Sequence, residues 1–157
     1  MIQVKSIYDL FSLVILIPDI YLLYTFDIYA IVGTVFVLLL HHIIKQMTTG
    51  LEPSSIFKRP PGATNCGLFN TGGLVEHQSG FPSGHMTSIT FMMMYILLKT
   101  SKVNFTNLIL FNIPILLVAI GRYYKGCHRL IQIIAGYILG GTMALFFYYN
   151  KKYICGC

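Results

Sequence analysis

Residues 10–26, 28–44, 105–121 and 129–149 are apolar runs of about the length a bilayer-spanning helix needs. Residues 84–98 form a fifth, shorter run. Hydrocarbon offers no partner for backbone N–H and C=O groups, so segments of this kind must close their hydrogen bonds internally, as helices. Across the 157 residues, 55% are hydrophobic and only 10% charged, which fits a membrane bundle and not a soluble core. The expected fold is all-α: an integral membrane bundle of about five transmembrane helices, one domain over residues 1–157. The first run is not read as a signal peptide, because its basic flank is the single Lys5 and no small-residue cleavage site follows.

The net charge of +6 is not gathered in a run. Basic residues sit at segment ends and in two clusters, which argues against nucleic acid and for anionic lipid or phosphate as the partner. Asp19, after Pro18 in the first run, is either an intramembrane functional carboxylate or the mark of a kinked or re-entrant start. His41 and His42 end the second run. Adjacent helical positions point about 100° apart, so the pair does not chelate and reads as interfacial. Asn112 and Pro114 predict a kink in the fourth helix, and Gly136 with Gly140 has the small-xxx-small spacing that lets membrane helices approach closely. Cys155 and Cys157 lie in a tail open to acylation. Cys66 and Cys127 would share one membrane face and could pair, although two free thiols are the simpler reading.

Three polar stretches carry the chemistry. Residues 46–80 form the one long polar loop, with Lys58-Arg59-Pro60-Pro61 and then a glycine-rich run. Its end, Gly80-Phe81-Pro82-Ser83-Gly84-His85, opens the third helix: Ser83 is placed to cap it, and the bare amides and positive dipole end there suit phosphate. Between helices four and five, Gly126 breaks the chain so that Arg122 ends one helix and His128 opens the next, with Gln132 one turn on. Counting crossings puts all three stretches on one membrane face, so Lys45, Lys58, Arg59, Ser83, His85, Arg122 and His128 converge. Two histidines, two arginines and a helix N-terminus describe phosphoryl transfer without a metal or other cofactor. The arginines hold the phosphoryl oxygens, one histidine attacks phosphorus and the other protonates the leaving oxygen.

These residues resemble the type 2 phosphatidic acid phosphatase superfamily, whose motifs are K-x6-R-P, P-S-G-H and S-R-x5-H-x3-D. Pro82-Ser83-Gly84-His85 gives the second. Arg122-x5-His128 gives the third, with Gly121 for serine and Gln132 for aspartate. Arg59-Pro60 gives the end of the first. Glu52 stands at the lysine position, so Lys45 or Lys58 would have to serve. The likeness covers about residues 41–150. It implies that His128 is the nucleophile, His85 the general acid and Gln132 the residue that orients His128. Lys45 or Lys58, Arg59, Ser83, Gly84 and Arg122 would then bind phosphate.

A lipid phosphate or polyprenyl diphosphate is the implied substrate. The other readings are an inactive relative that binds lipid phosphate or a membrane partner, a phosphotransferase to alcohols and, remotely, a small channel. Because glutamine carries no charge, Gln132→Asp is expected from sequence to raise turnover about tenfold, by about 1.4 kcal/mol of barrier. Ordinary histidine pKa values near 6.5 predict a bell-shaped pH profile. Lys99, Lys102, Lys151 and Lys152 fall opposite the site face, which predicts a lumenal or extracytoplasmic pocket although Lys5 and Lys125 oppose the bias. The sequon at Asn104 would then be cytoplasmic and unmodified.

Overall fold

The computed structural model describes residues 7–51, 56–100 and 103–155. The expectations placed on Lys5, Glu52, Lys102 and Cys157, and on the side chains of Lys152 and Cys155, lie outside what is described. Among the described residues the chain is all-helical: α1 (Ile7–Leu13), α2 (Leu16–Tyr24), α3 (Ile28–Thr48), α4 (Gly84–Thr100), α5 (Phe105–Tyr124) and α6 (Leu130–Cys155). Four segments are long and apolar enough to cross a bilayer, namely Ile7–Tyr24, Ile28–Thr48, Phe105–Tyr124 and Leu130–Lys151, and they mark a membrane protein.

The first run is two helices and not one. Pro18 has no N–H to give the carbonyl of Val14, and the chain tightens there, Ile17 N–H bonding the Val14 carbonyl at 3.1 Å. Helix α3 runs a turn further than its apolar stretch suggests and carries His41, His42 and Lys45 within it. It starts on Asp27, whose carboxylate accepts the Ala30 N–H at 3.0 Å, and Gly50, at φ 93°, follows its end. Asn104 caps α5 by accepting the Asn107 N–H at 2.8 Å, which gives the sequon asparagine a purely local task.

Helix α4 is the centre of the bundle, with ten of its 17 residues buried, Met92 among them; Met93 and Met94 pack partly buried against the core. Its main neighbour is α6, and the two glycines explain the closeness. A Cβ at position 140 would lie 2.3 Å from the Thr87 carbonyl oxygen, and one at 136 would lie 2.7 Å from the Ser83 carbonyl oxygen. Both obstacles are backbone and cannot swing aside. Gly140→Val is therefore expected to cost about 3 kcal/mol or more, measured as a fall in the thermal midpoint of the detergent-solubilised protein. At the opposite end of the bundle Lys99 pairs with Asp27, and Tyr29 donates to the Phe147 carbonyl at 2.9 Å.

Candidate active site

The polar loop folds back over the ends of α3, α4 and α5. Single antiparallel bridges join Lys58 to Ser79 and Thr64 to Leu74. A disulfide between Cys66 and Cys127, 61 residues apart, fastens the loop to the α5–α6 turn, so the reading of two free thiols is replaced. The turn itself is made possible by Gly126, at φ 68°.

His128 lies buried just before α6. Its Nε2 is 3.3 Å from Arg59 Nη1. A guanidinium cannot accept a hydrogen bond, so Nε2 carries a lone pair and the proton sits on Nδ1. Nδ1 agrees: it donates to the Gly80 carbonyl at 3.0 Å and faces Gln132 Oε1 at 3.3 Å. The tautomer with its outward nitrogen bare is thus fixed chiefly by a backbone carbonyl.

Gln132 has no solvent exposure, and its amide is oriented by its surroundings. Nε2 donates to the carbonyls of Ile56 (2.9 Å), Phe57 (3.3 Å) and Lys58 (2.8 Å), while Oε1 accepts the Arg129 N–H at 3.1 Å. It therefore ties the first motif to the third as well as touching His128. Gly80 must be glycine here, since a Cβ would meet Gln132 Oε1 at 2.4 Å.

Arg59 Nη1 also donates to the Cys127 carbonyl at 2.9 Å. Arg122, fully buried, donates from Nη2 to the Cys66 carbonyl at 2.6 Å. Each arginine is held by the carbonyl of one half-cystine. Their Nε atoms, together with Ser83 Oγ and His85 Nε2, are buried polar atoms with no partner in the protein. Leaving such groups unsatisfied costs about 1–3 kcal/mol each, and the two on the cavity-lining residues Arg59 and His85 suit an oxygen-rich ligand. The Ser83 hydroxyl does not cap α4 as expected, and the Ser83 N–H is committed to the Gln132 carbonyl at 3.0 Å.

A cavity of about 520 Å³ opens beside these groups, lined at its polar end by Lys45, Arg59, Gly84, His85 and His128. Lys45 faces it, whereas Lys58 lines a separate recess and uses its carbonyl to hold Gln132. Arg122 stands behind the wall, where its charge still acts on His128 at the cavity. Asp19 lies on the wall as well.

Sequence reasoning missed His41, which also lines the cavity. A Cβ at Gly84 would sit 2.6 Å from His41 Nε2, and His41 Nδ1 bonds the Leu38 carbonyl at 3.1 Å. Its spacing of four from Lys45 on one helix was the available signal.

Burial, then the charges of Arg122, Arg59 and His85, push the His128 imidazole well below the usual histidine range. Burial lowers Arg59 to about 10, which leaves it charged at neutral pH. A depressed pKa keeps His128 neutral as pH falls. An unshifted histidine of pKa 6.5 would lose about three-quarters of its neutral form by pH 6. The expected result is that kcat/KM does not fall between pH 7.5 and pH 6. The bell shape predicted from ordinary pKa values therefore loses its acid limb in that window.

Over residues 27–154 the sequence matches the PAP2 superfamily, and the chain belongs to that superfamily. No curated protein and no solved structure matches it. Helices α1 and α2 precede the matched residues.

Proposed function

We propose that this protein is a membrane phosphatase that hydrolyses a lipid phosphate or polyprenyl diphosphate through a phosphohistidine, without a metal. The carrying observation is the buried His128, with Nε2 bare beside Arg59 and Nδ1–H held by Gly80. In the reaction Nε2 attacks phosphorus as the bond to the leaving oxygen breaks. His85 protonates that oxygen, and Arg59, Arg122 and Lys45 offset the phosphoryl charge. Water then attacks the phosphohistidine, His85 takes its proton, and His128 is regenerated. The surrounding groups are cationic, a set that attracts phosphate and repels metal ions.

The shape of the cavity supports a lipid. Lining residues on α3 run from Lys45 to Thr34, eleven positions or about 16 Å, past the apolar side chains of Ile15, Leu38 and Met92. Phosphate alone needs far less room. The Cys66–Cys127 bridge supports an extracytoplasmic pocket, because disulfides persist in oxidising compartments. Lys99, by contrast, is a weaker marker of orientation once paired with Asp27.

The test is phosphate release by detergent-purified protein from a panel of lipid phosphates and diphosphates, run with and without chelator. Release that survives chelation is expected. No release from any member would leave the reading of an inactive, lipid-phosphate-binding relative, and loss with chelator would overturn the metal-free mechanism. Transfer to added alcohol in place of water would make the protein a phosphotransferase.

A further inference from the structure

The N-terminal helix α1 lies before the residues that carry the family match, yet three of its contacts reach the end of α5 that bears Arg122. Asp9 pairs with Lys125 at 2.7 Å, with both side chains nearly buried (7% and 11% exposed). The same carboxylate accepts from Asn70 of the loop at 3.5 Å. Ser12, with no solvent exposure, commits its proton to the Tyr8 carbonyl at 3.3 Å and so turns a lone pair toward Arg122 Nη1, 3.5 Å away. The fit is close because position 121 is glycine. A Cβ there would lie 2.9 Å from the Tyr8 carbonyl oxygen and 3.0 Å from Phe11 Cβ. The third motif usually has serine at this position, and a serine would push α1 away.

We infer that α1 is a working part of the phosphate site, with Asp9 and Ser12 as positioning residues that hold the Lys125 turn and the Arg122 guanidinium for the bound phosphoryl group. A buried ion pair broken on one side leaves an uncompensated charge, so the turn would shift. Arg122 would then keep only its bond to Cys66 and lose part of its aim. The effect falls mainly on phosphate binding: the His128 backbone N–H bonds the Arg122 carbonyl at 3.3 Å, but the ring itself is held by Gly80 and Gln132.

This rests on the proposed phosphatase reading, and two measurements separate their failures: turnover, and stabilisation against heat by orthovanadate, a phosphate mimic that needs no turnover. Asp9→Asn is expected to raise KM and the vanadate concentration for half-stabilisation about tenfold, with kcat within about threefold. Ser12→Ala should raise both about threefold. Gly121→Ala, which displaces α1 from the other side, should reproduce the Asp9→Asn result if that variant does not fold. Asp9→Glu should restore most of the affinity. Leu10→Ala, exposed on the far side of α1, is the unaffected control. Wild-type vanadate affinity in the folded variants overturns the inference while leaving the phosphatase standing. A wild-type protein that neither turns over nor binds vanadate overturns both.

Discussion

His128→Ala is expected to abolish phosphate release, by a factor on the order of 10⁴ or more, while the protein stays folded. Loss of a nucleophile removes the covalent path altogether, and only binding and electrostatic stabilisation remain. The fold should tolerate the change, because the ring's partners do not depend on it. Gly80 is also held by its N–H to the Phe57 carbonyl at 2.8 Å, and Arg59 keeps the Cys127 carbonyl. Gln132 keeps four backbone contacts. Rapid quenching with radiolabelled substrate should trap acid-labile phosphoprotein in the wild type and none in the variant. Substantial turnover by a folded His128→Ala protein would remove His128 as nucleophile.

Gln132→Asp is expected to lower turnover by about a hundredfold and stability by about 3 kcal/mol, the reverse of the sequence-level expectation. The orienting role imagined for a carboxylate is already filled by the Gly80 carbonyl, so charge has little to add. What the amide does, and a carboxylate cannot, is donate to three partly buried carbonyls on the first-motif loop. Aspartate would lose those three hydrogen bonds, at about 0.5–1.5 kcal/mol each, and set a negative charge against the carbonyls, leaving the Gly80 N–H and Arg129 Nε to hold those of Phe57 and Lys58. Gln132→Glu keeps the length and the acceptor toward Arg129, and a protonated glutamate can donate to one of the three, so it should fall between. Turnover and thermal midpoints of the three proteins decide the matter. An aspartate variant as active as the parent would show that Gln132 does not hold the loop.

The helices were legible because length and apolarity report directly on what hydrocarbon tolerates. The close approach of α4 and α6 was legible in Gly136 and Gly140 for the same local reason, and Gly126 announced the turn before His128. The meeting of Arg59, His85, Arg122 and His128 followed from counting crossings, which needs no distances. Less legible were features decided between residues far apart in the chain. Gln132 was judged by the residue one turn before it, yet its strongest partners are backbone carbonyls more than 70 residues earlier. Pro18 could be read as a kink, but not that α1 would pack on Gly121. Lys45 and Lys58 could not be separated because the choice depends on α3 extending to Thr48. His41 was read as merely interfacial because an apolar run ending in histidine looks the same whether the ring meets lipid or a cavity.

The Cys66–Cys127 bond also has a bearing on how the chain is threaded into its bilayer. Two helices, α4 and α5, lie between the cysteines. Helix α4, at 17 residues and largely buried in the bundle, is not one of the four long apolar segments, but with α5 crossing, the sulfurs meet on one face only if α4 crosses too. Were either helix left out of the membrane, the number of crossings would be odd and the thiols would be stranded on opposite sides. The bond therefore registers parity: it closes over a correctly laced chain and stays open over a mislaced one. It closes beside His128 and across the carbonyls that grip both arginines. A mislaced chain would thus lack its latch at the place where phosphate is to be held.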